Sequence, residues 1–168
     1  MQRRYFLSLA AAAGAASVFG SLGLGLRRGN AAEEHFPVMR SKEEWRRQLS
    51  ADQFAILREE ATERPFTSPL LKNHGTGIYR CVGCNSGVYS SETKFDSGTG
   101  WPSFWEALDG AVGTTTDYKL VYPRTEVHCA TCGGHLGHVF DDGPKPTGKR
   151  HCINGLVLAF DENGSAAG

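Results

Sequence analysis

Repeats and a charge excess of one sign are both missing from this 168-residue chain, and each absence narrows what it can be. The formal net charge is zero, and no basic patch offers a nucleic-acid surface. No internal repeat or low-complexity tract follows the first thirty or so residues, which excludes solenoids and arrays. The only long uncharged stretch is Leu7 to Leu26, twenty residues rich in Ala, Gly, Ser and Leu. Arg3-Arg4 precedes it, four glycines dilute it, and small residues follow around Asn30-Ala31-Ala32. That pattern reads as a twin-arginine export signal over residues 1–32, with an uncleaved anchor as the alternative. The protein is then expected outside the cytoplasm, in the periplasm, with its domain at 33–168 and its core at about 42–160. The segment before residue 33 carries four arginines and no acid, so the remainder has 14 basic against 18 acidic side chains.

Cysteine is scarce but patterned. Four of the five form two Cys-x-x-Cys pairs, Cys81/Cys84 and Cys129/Cys132, with 44 residues between the pairs. Two such knuckles supply the thiolates of one tetrahedral zinc ion and staple distant segments together. Gly83 and Gly133 are the positions where the knuckles are expected to need permissive backbone. Redox pairs of thioredoxin type would want a βαβ context, which is lacking. Cys152 is left without a structural partner and is the candidate nucleophile.

Ser41-Lys42-Glu43-Glu44 and Ser50-Ala51-Asp52-Gln53 are capping boxes that predict two short helices, ended by Arg64-Pro65. An extended segment is expected between Pro65 and Pro69. From Gly77 the pattern turns to short aromatic and β-branched runs punctuated by glycine. Strands are expected at Ile78-Tyr79, Gly87 to Tyr89, Tyr118 to Tyr122, Glu126 to His128, Leu136 to Phe140 and Leu156 to Phe160, with Asp161 to Gly168 a frayed tail. The class is mainly β, antiparallel, with short N-terminal helices.

Three segments carry the remaining chemistry: Gly98-Thr99-Gly100-Trp101-Pro102-Ser103-Phe104, His135-Leu136-Gly137-His138-Val139-Phe140, and Arg150-His151-Cys152-Ile153-Asn154. On a regular strand His135 and His138 point to opposite faces, so an irregularity must bring them together. Taken in order, GTGWPSF, HLGHVFDDGP and RHCIN resemble the motifs of methionine sulfoxide reductase B, the peptide-methionine (R)-S-oxide reductase family, and the paired cysteines resemble its zinc-containing branch. The resemblance runs from about Lys42 to Phe160. It implies two antiparallel sheets, Cys152 as nucleophile, Trp101 against the substrate's S-methyl group, and site roles for His135, His138 and Asn154. It also implies oxidised proteins or peptides as substrates. A monomer is expected.

The residues support the same chemistry by themselves. Sulfoxide reduction needs a thiol of lowered pKa, an acid for the oxygen, and an apolar cradle for the methyl group. Arg150, His151 and the two histidines are expected to favour a Cys152 thiolate, with His138 on the sulfoxide oxygen. Trp101 and Phe104 are expected to hold the methyl group. The family's loop cysteine is replaced by Thr99, so a sulfenic acid on Cys152 must be reduced by an outside thiol, small or thioredoxin-like. His151 stands where tyrosine or phenylalanine is common, and Gly155 follows Asn154. Two other readings remain: a zinc-knuckle binding module with an inert Cys152, and a Cys-His hydrolase.

Overall fold

The structure is a computed structural model that describes residues 35–164. The expected export signal, its cleavage site and the end of the tail lie outside the described residues. Two helices come first, α1 (Lys42–Gln48) and α2 (Ala51–Glu59). Both capping boxes form: Ser41 Oγ accepts from Glu44 N while Glu44 accepts from Ser41 N, and Ser50 and Gln53 repeat the exchange. Such reciprocal caps satisfy backbone donors that a short helix cannot satisfy itself. The second helix stops before Arg64-Pro65, because Glu60 turns into the left-handed region at φ 54°. The segment bracketed by Pro65 and Pro69 is not extended throughout. A 3-10 turn starts at Pro69, with Ser68 Oγ accepting from Leu70 N.

Among the described residues nine strands follow, all pairing antiparallel. They are β1 (Ile78–Cys81), β2 (Gly87–Ser90), β3 (Lys94–Phe95), β4 (Ser103–Phe104), β5 (Val112–Asp117), β6 (Arg124–Cys129), β7 (His135–Phe140), β8 (Arg150–Ile153) and β9 (Leu158–Asp161). One sheet has the order β2-β1-β9 and the other β3-β4-β8-β7-β6-β5. The mainly β, two-sheet architecture with short helices at the start is therefore present.

The core lies where the sheets and helices meet. Tyr79, Tyr89, Phe104, Val127, Leu136 and Ile153 are fully buried, and α2 contributes Phe54, Ile56 and Leu57. The Phe104 ring stacks on Tyr89 at 4.3 Å and meets Tyr79 edge-on at 5.0 Å. Such aromatic pairs add to simple area burial.

One expected strand is absent. Tyr118 to Tyr122 is the exposed tip of the β5–β6 hairpin, with Tyr118, Leu120, Val121 and Tyr122 all in solvent. Asp117 Oδ1 accepts from Lys119 N at 2.8 Å and turns the chain there. Aromatic and β-branched residues favour strands by packing on a pleated surface, and at this tip there is none to pack on.

Candidate active site and metal centre

The two Cys-x-x-Cys segments form matched turns. Asn85 N donates to Cys81 O and Gly133 N to Cys129 O, each at 2.8 Å; Cys81 N and Cys129 N donate to Ser86 O and Gly134 O, each at 2.9 Å. The residue after the second cysteine takes the left-handed conformation in both, Asn85 at φ 64° and Gly133 at φ 65°. Asn85, rather than Gly83, is thus the permissive residue of the first turn; asparagine tolerates that region.

The four sulfurs lie within 4.8 Å of one another. Cys81 and Cys132 are 3.8 Å apart and Cys84 and Cys129 3.5 Å. A tetrahedron of thiolates around zinc, with bonds of about 2.3 Å, has edges of about 3.8 Å. The donor set fits such an ion. Arg58 of α2 donates from Nη2 to Cys132 Sγ at 3.2 Å and lies 4.0 Å over the Trp45 ring. A cation beside the sulfurs offsets the charge of a tetrathiolate and ties both helices to it.

Cys152 lies about 20 residues beyond the second turn, in the middle of the larger sheet. On β8 it is opposite Ser103 of β4 and His138 of β7. The close pairing is built by Gly137, where a Cβ would sit 2.1 Å from Cys152 O. The β6–β7 register passes from Val127↔Gly137 to His128↔His135, which leaves Leu136 as an extra residue. That bulge supplies the irregularity the two histidines need, and their rings meet at 5.3 Å.

Each histidine is oriented by an acid from the neighbouring strands. His138 Nε2 donates to Asp117 Oδ2 at 2.9 Å, and Arg124 Nη2 donates to the same oxygen at 2.5 Å. Bonds from Lys119 N and His138 hold the Asp117 carboxyl well below the usual range, and burial pushes His138 down. His135 Nδ1 lies 2.8 Å from Glu126 Oε1, a contact that holds Glu126 down at about 2.

A recess of about 120 Å³ opens beside the thiol, lined by Trp101, Cys152, His138, Asn154, Phe140 and Arg124 along with Thr62 and Gly137. Trp101 is pinned by its Nε1 donating to Glu63 O at 3.0 Å. Asn154 accepts from Glu63 N at 2.8 Å and donates to Leu136 O at 2.9 Å, so its amide is committed at both ends. Asn154 thus ties the Glu63 segment to β7 from the wall of the recess.

Three expectations are corrected. Phe104 does not line the recess: it is fully buried against Tyr89 and Tyr79, and Phe140 supplies the recess with its second aromatic wall. Adjacent strand residues face opposite sides, which sends His151 away from Cys152. His151 Nδ1 instead shares a hydrogen bond with Tyr89 OH at 3.1 Å, and burial pushes it down to about 4, so it brings no positive charge. Third, Cys152 at rest is a thiol: burial raises it, and the opposing pull of Thr99 and Arg150 is smaller. Arg150 is itself held by a two-pronged bond to Asp142 at 2.8 and 2.9 Å.

Asp117 and Arg124 carry no motif of their own, and Phe140, though it ends the HLGHVF segment, was not assigned a site role. Arg124 lies three residues before Val127 on a strand read from Glu126 onward. Only the hairpin that returns β5 beside β6 could have pointed to Asp117.

The chain is similar to known proteins over most of its length. Residues 49–162 match the SelR domain family. A peptide methionine sulfoxide reductase MsrB of Agrobacterium fabrum is 51% identical over 125 residues, covering 74% of this chain and 93% of its own. The MsrB of Leptospira interrogans is 46% identical over 129 residues, 76% of this chain and 98% of its own. A chloroplastic peptide methionine sulfoxide reductase B1 of rice is 52% identical over 117 residues, 69% of this chain and 55% of its own. With its motifs, its two-sheet fold and this similarity along most of its length, the chain belongs to the SelR-domain family of peptide methionine sulfoxide reductases, the MsrB oxidoreductases.

Proposed function

We propose that this protein reduces methionine (R)-S-oxide in oxidised polypeptides to methionine, with Cys152 as the nucleophile. The observation that carries the reading is the placement of Cys152, the one thiol outside the four-cysteine cluster, in a recess with Trp101 and His138. The indole face and the Phe140 ring take the S-methyl group. The sulfur lone pair of Cys152 attacks the substrate sulfur as the S–O oxygen takes up a proton. Oxygen passes to Cys152, leaving one sulfenic acid and one methionine from one thiol and one sulfoxide. His138 lines the recess with His135 beside it; with its Nε2–H held by Asp117, it gives a proton to the sulfoxide oxygen from Nδ1, as the imidazolium.

Since the resting group is a thiol, the proton on Cys152 can itself leave as the sulfoxide oxygen gains one, and Arg150 stabilises the thiolate that forms. Thr99 offers no second thiol at the loop. Two equivalents of an outside thiol then return the sulfenic acid to Cys152 with release of water and a disulfide. A small thiol or a thioredoxin-like protein serves that step. Zinc at Cys81, Cys84, Cys129 and Cys132 is the structural ion, with sulfur donors and spacing in support. The twin arginines at Arg3-Arg4 support export by the Tat route, which carries folded cargo and so allows the metal to be acquired first.

The hydrolase reading fares worse. A Cys-His hydrolase needs its base bonded to the nucleophile, whereas the side-chain hydroxyl bonded to Cys152 Sγ is Thr99 Oγ1 at 3.8 Å. A binding module with an inert Cys152 leaves the tryptophan-walled recess without a purpose. The decisive experiment supplies the two methionine sulfoxide epimers separately, with dithiothreitol as reductant. Methionine should appear from the R epimer; equal turnover of both epimers, or of neither, refutes the proposal.

A further inference from the structure

The recess beside Cys152, at about 120 Å³, is well below the roughly 300 Å³ at which small-molecule pockets begin. It has room for one side chain. The polypeptide on either side of an oxidised methionine must therefore lie elsewhere. A groove of about 450 Å³ runs along α2, and Thr62 lines both it and the recess. Its apolar wall is made by Ala55, Ala61 and the half-exposed Leu156. Its charged residues include Asp52 and Arg64, which take part in no ion pair among the described residues.

The shared wall is mechanically tied to the site. Glu63, which lines the groove, accepts from Trp101 Nε1 through its carbonyl and donates from its N–H to Asn154 Oδ1. Its carboxylate accepts from Leu156 N at 3.1 Å, so the groove's opposite side is joined to the same residue. An occupant pressed between Ala61 and Leu156 bears directly on the residue that seats the indole.

Building on the reductase reading, we infer that this groove is a peptide subsite: it holds the chain flanking the oxidised methionine in extended form, with small or apolar residues against Ala55, Ala61 and Leu156. Arg64 then favours an acidic residue in that flank. Binding energy gathered away from the sulfoxide serves affinity and alignment there.

The test compares the amidated, N-acetylated single residue with a ten-residue peptide carrying one central methionine (R)-S-oxide, using the full chain. Ala55→Arg fills the groove from a helix position that arginine tolerates. It should raise KM for the peptide about tenfold and leave the single residue unchanged. Arg64→Glu, at an exposed position, should reverse a preference for acidic over basic flanks. Equal loss on both substrates, or no change on the peptide together with no reversal, overturns the inference. Should the wild-type protein reduce neither substrate, the reductase reading falls separately. Fluorescence anisotropy of the labelled peptide on the Cys152→Ser protein still reads the groove: Ala55→Arg should weaken binding about tenfold, and unchanged binding overturns the inference.

Discussion

Thr99 Oγ1 sits 3.8 Å from Cys152 Sγ across 53 residues of sequence. The loop therefore delivers its side chain to the Cys152 thiol although it delivers no sulfur. Ser97 Oγ braces it, 2.8 Å from Thr99 Oγ1 and 2.7 Å from Ser103 Oγ. Thr99→Cys should restore an internal resolving thiol. After one turnover without added reductant, the variant should lose two free thiols by titration and the parent one. Identical thiol counts would mean that the loop cannot close on Cys152.

Replacing Cys152 itself separates chemistry from architecture. Cys152→Ser is expected to abolish sulfoxide turnover, while the metal content stays at one ion per chain, because the cluster is made from the other four sulfurs. Activity above about a thousandth of the parent's would assign the nucleophile elsewhere.

The protonation of that thiol sets a pH dependence. Burial raises Cys152 above its ordinary value of 9.0, so the thiolate fraction grows only as pH climbs through and beyond that value. Alkylation of the metal-loaded protein by iodoacetamide should accelerate with an inflection above pH 9. An inflection well below it would show that Arg150 dominates after all. Arg150→Ala should move the inflection further up, since a lowering influence is removed.

Asp117 is buried, and it fixes which nitrogen of His138 carries a proton. Asp117→Asn keeps the shape but can present its amide group the wrong way round. General acid catalysis is worth about 10²–10⁴-fold, and misorienting the donor should forfeit about 10²-fold in kcat with KM little changed. A loss carried by KM alone would make Asp117 part of substrate binding.

Sulfur ligation should be required for the fold as well. Cys84→Ser, or removal of metal by a strong chelator, takes away the ion that joins the sulfurs crowded within 4.8 Å and leaves only Arg58 beside them. The melting temperature is expected to fall by more than about 10 °C, followed by circular dichroism. An unchanged melting curve after complete metal loss would remove the structural role of the site.

What could be read locally was read from the sequence. Two serines followed three residues later by Glu44 and Gln53 produced both helix caps, since a capping box is closed within four residues. The spacing of four cysteines singled out the fifth. Phe104 shows where such reading stops: its motif neighbours Trp101 on paper, yet strand alternation and the ring of Tyr89 carry it into the core. His151 shows it again, since its charge depends on burial rather than on being next to Cys152.

The sequence by itself determined that one thiol stays outside the four-sulfur cluster and that it accompanies an indole and two imidazoles. Only the tertiary structure decided which acid orients each imidazole, which aromatic rings line the recess, and that burial raises the Cys152 thiol. The division has a physical cause. Caps and turns are made between residues a few positions apart, whereas Asp117 reaches His138 through two antiparallel pairings, and Cys152 is protonated because of the burial those pairings create.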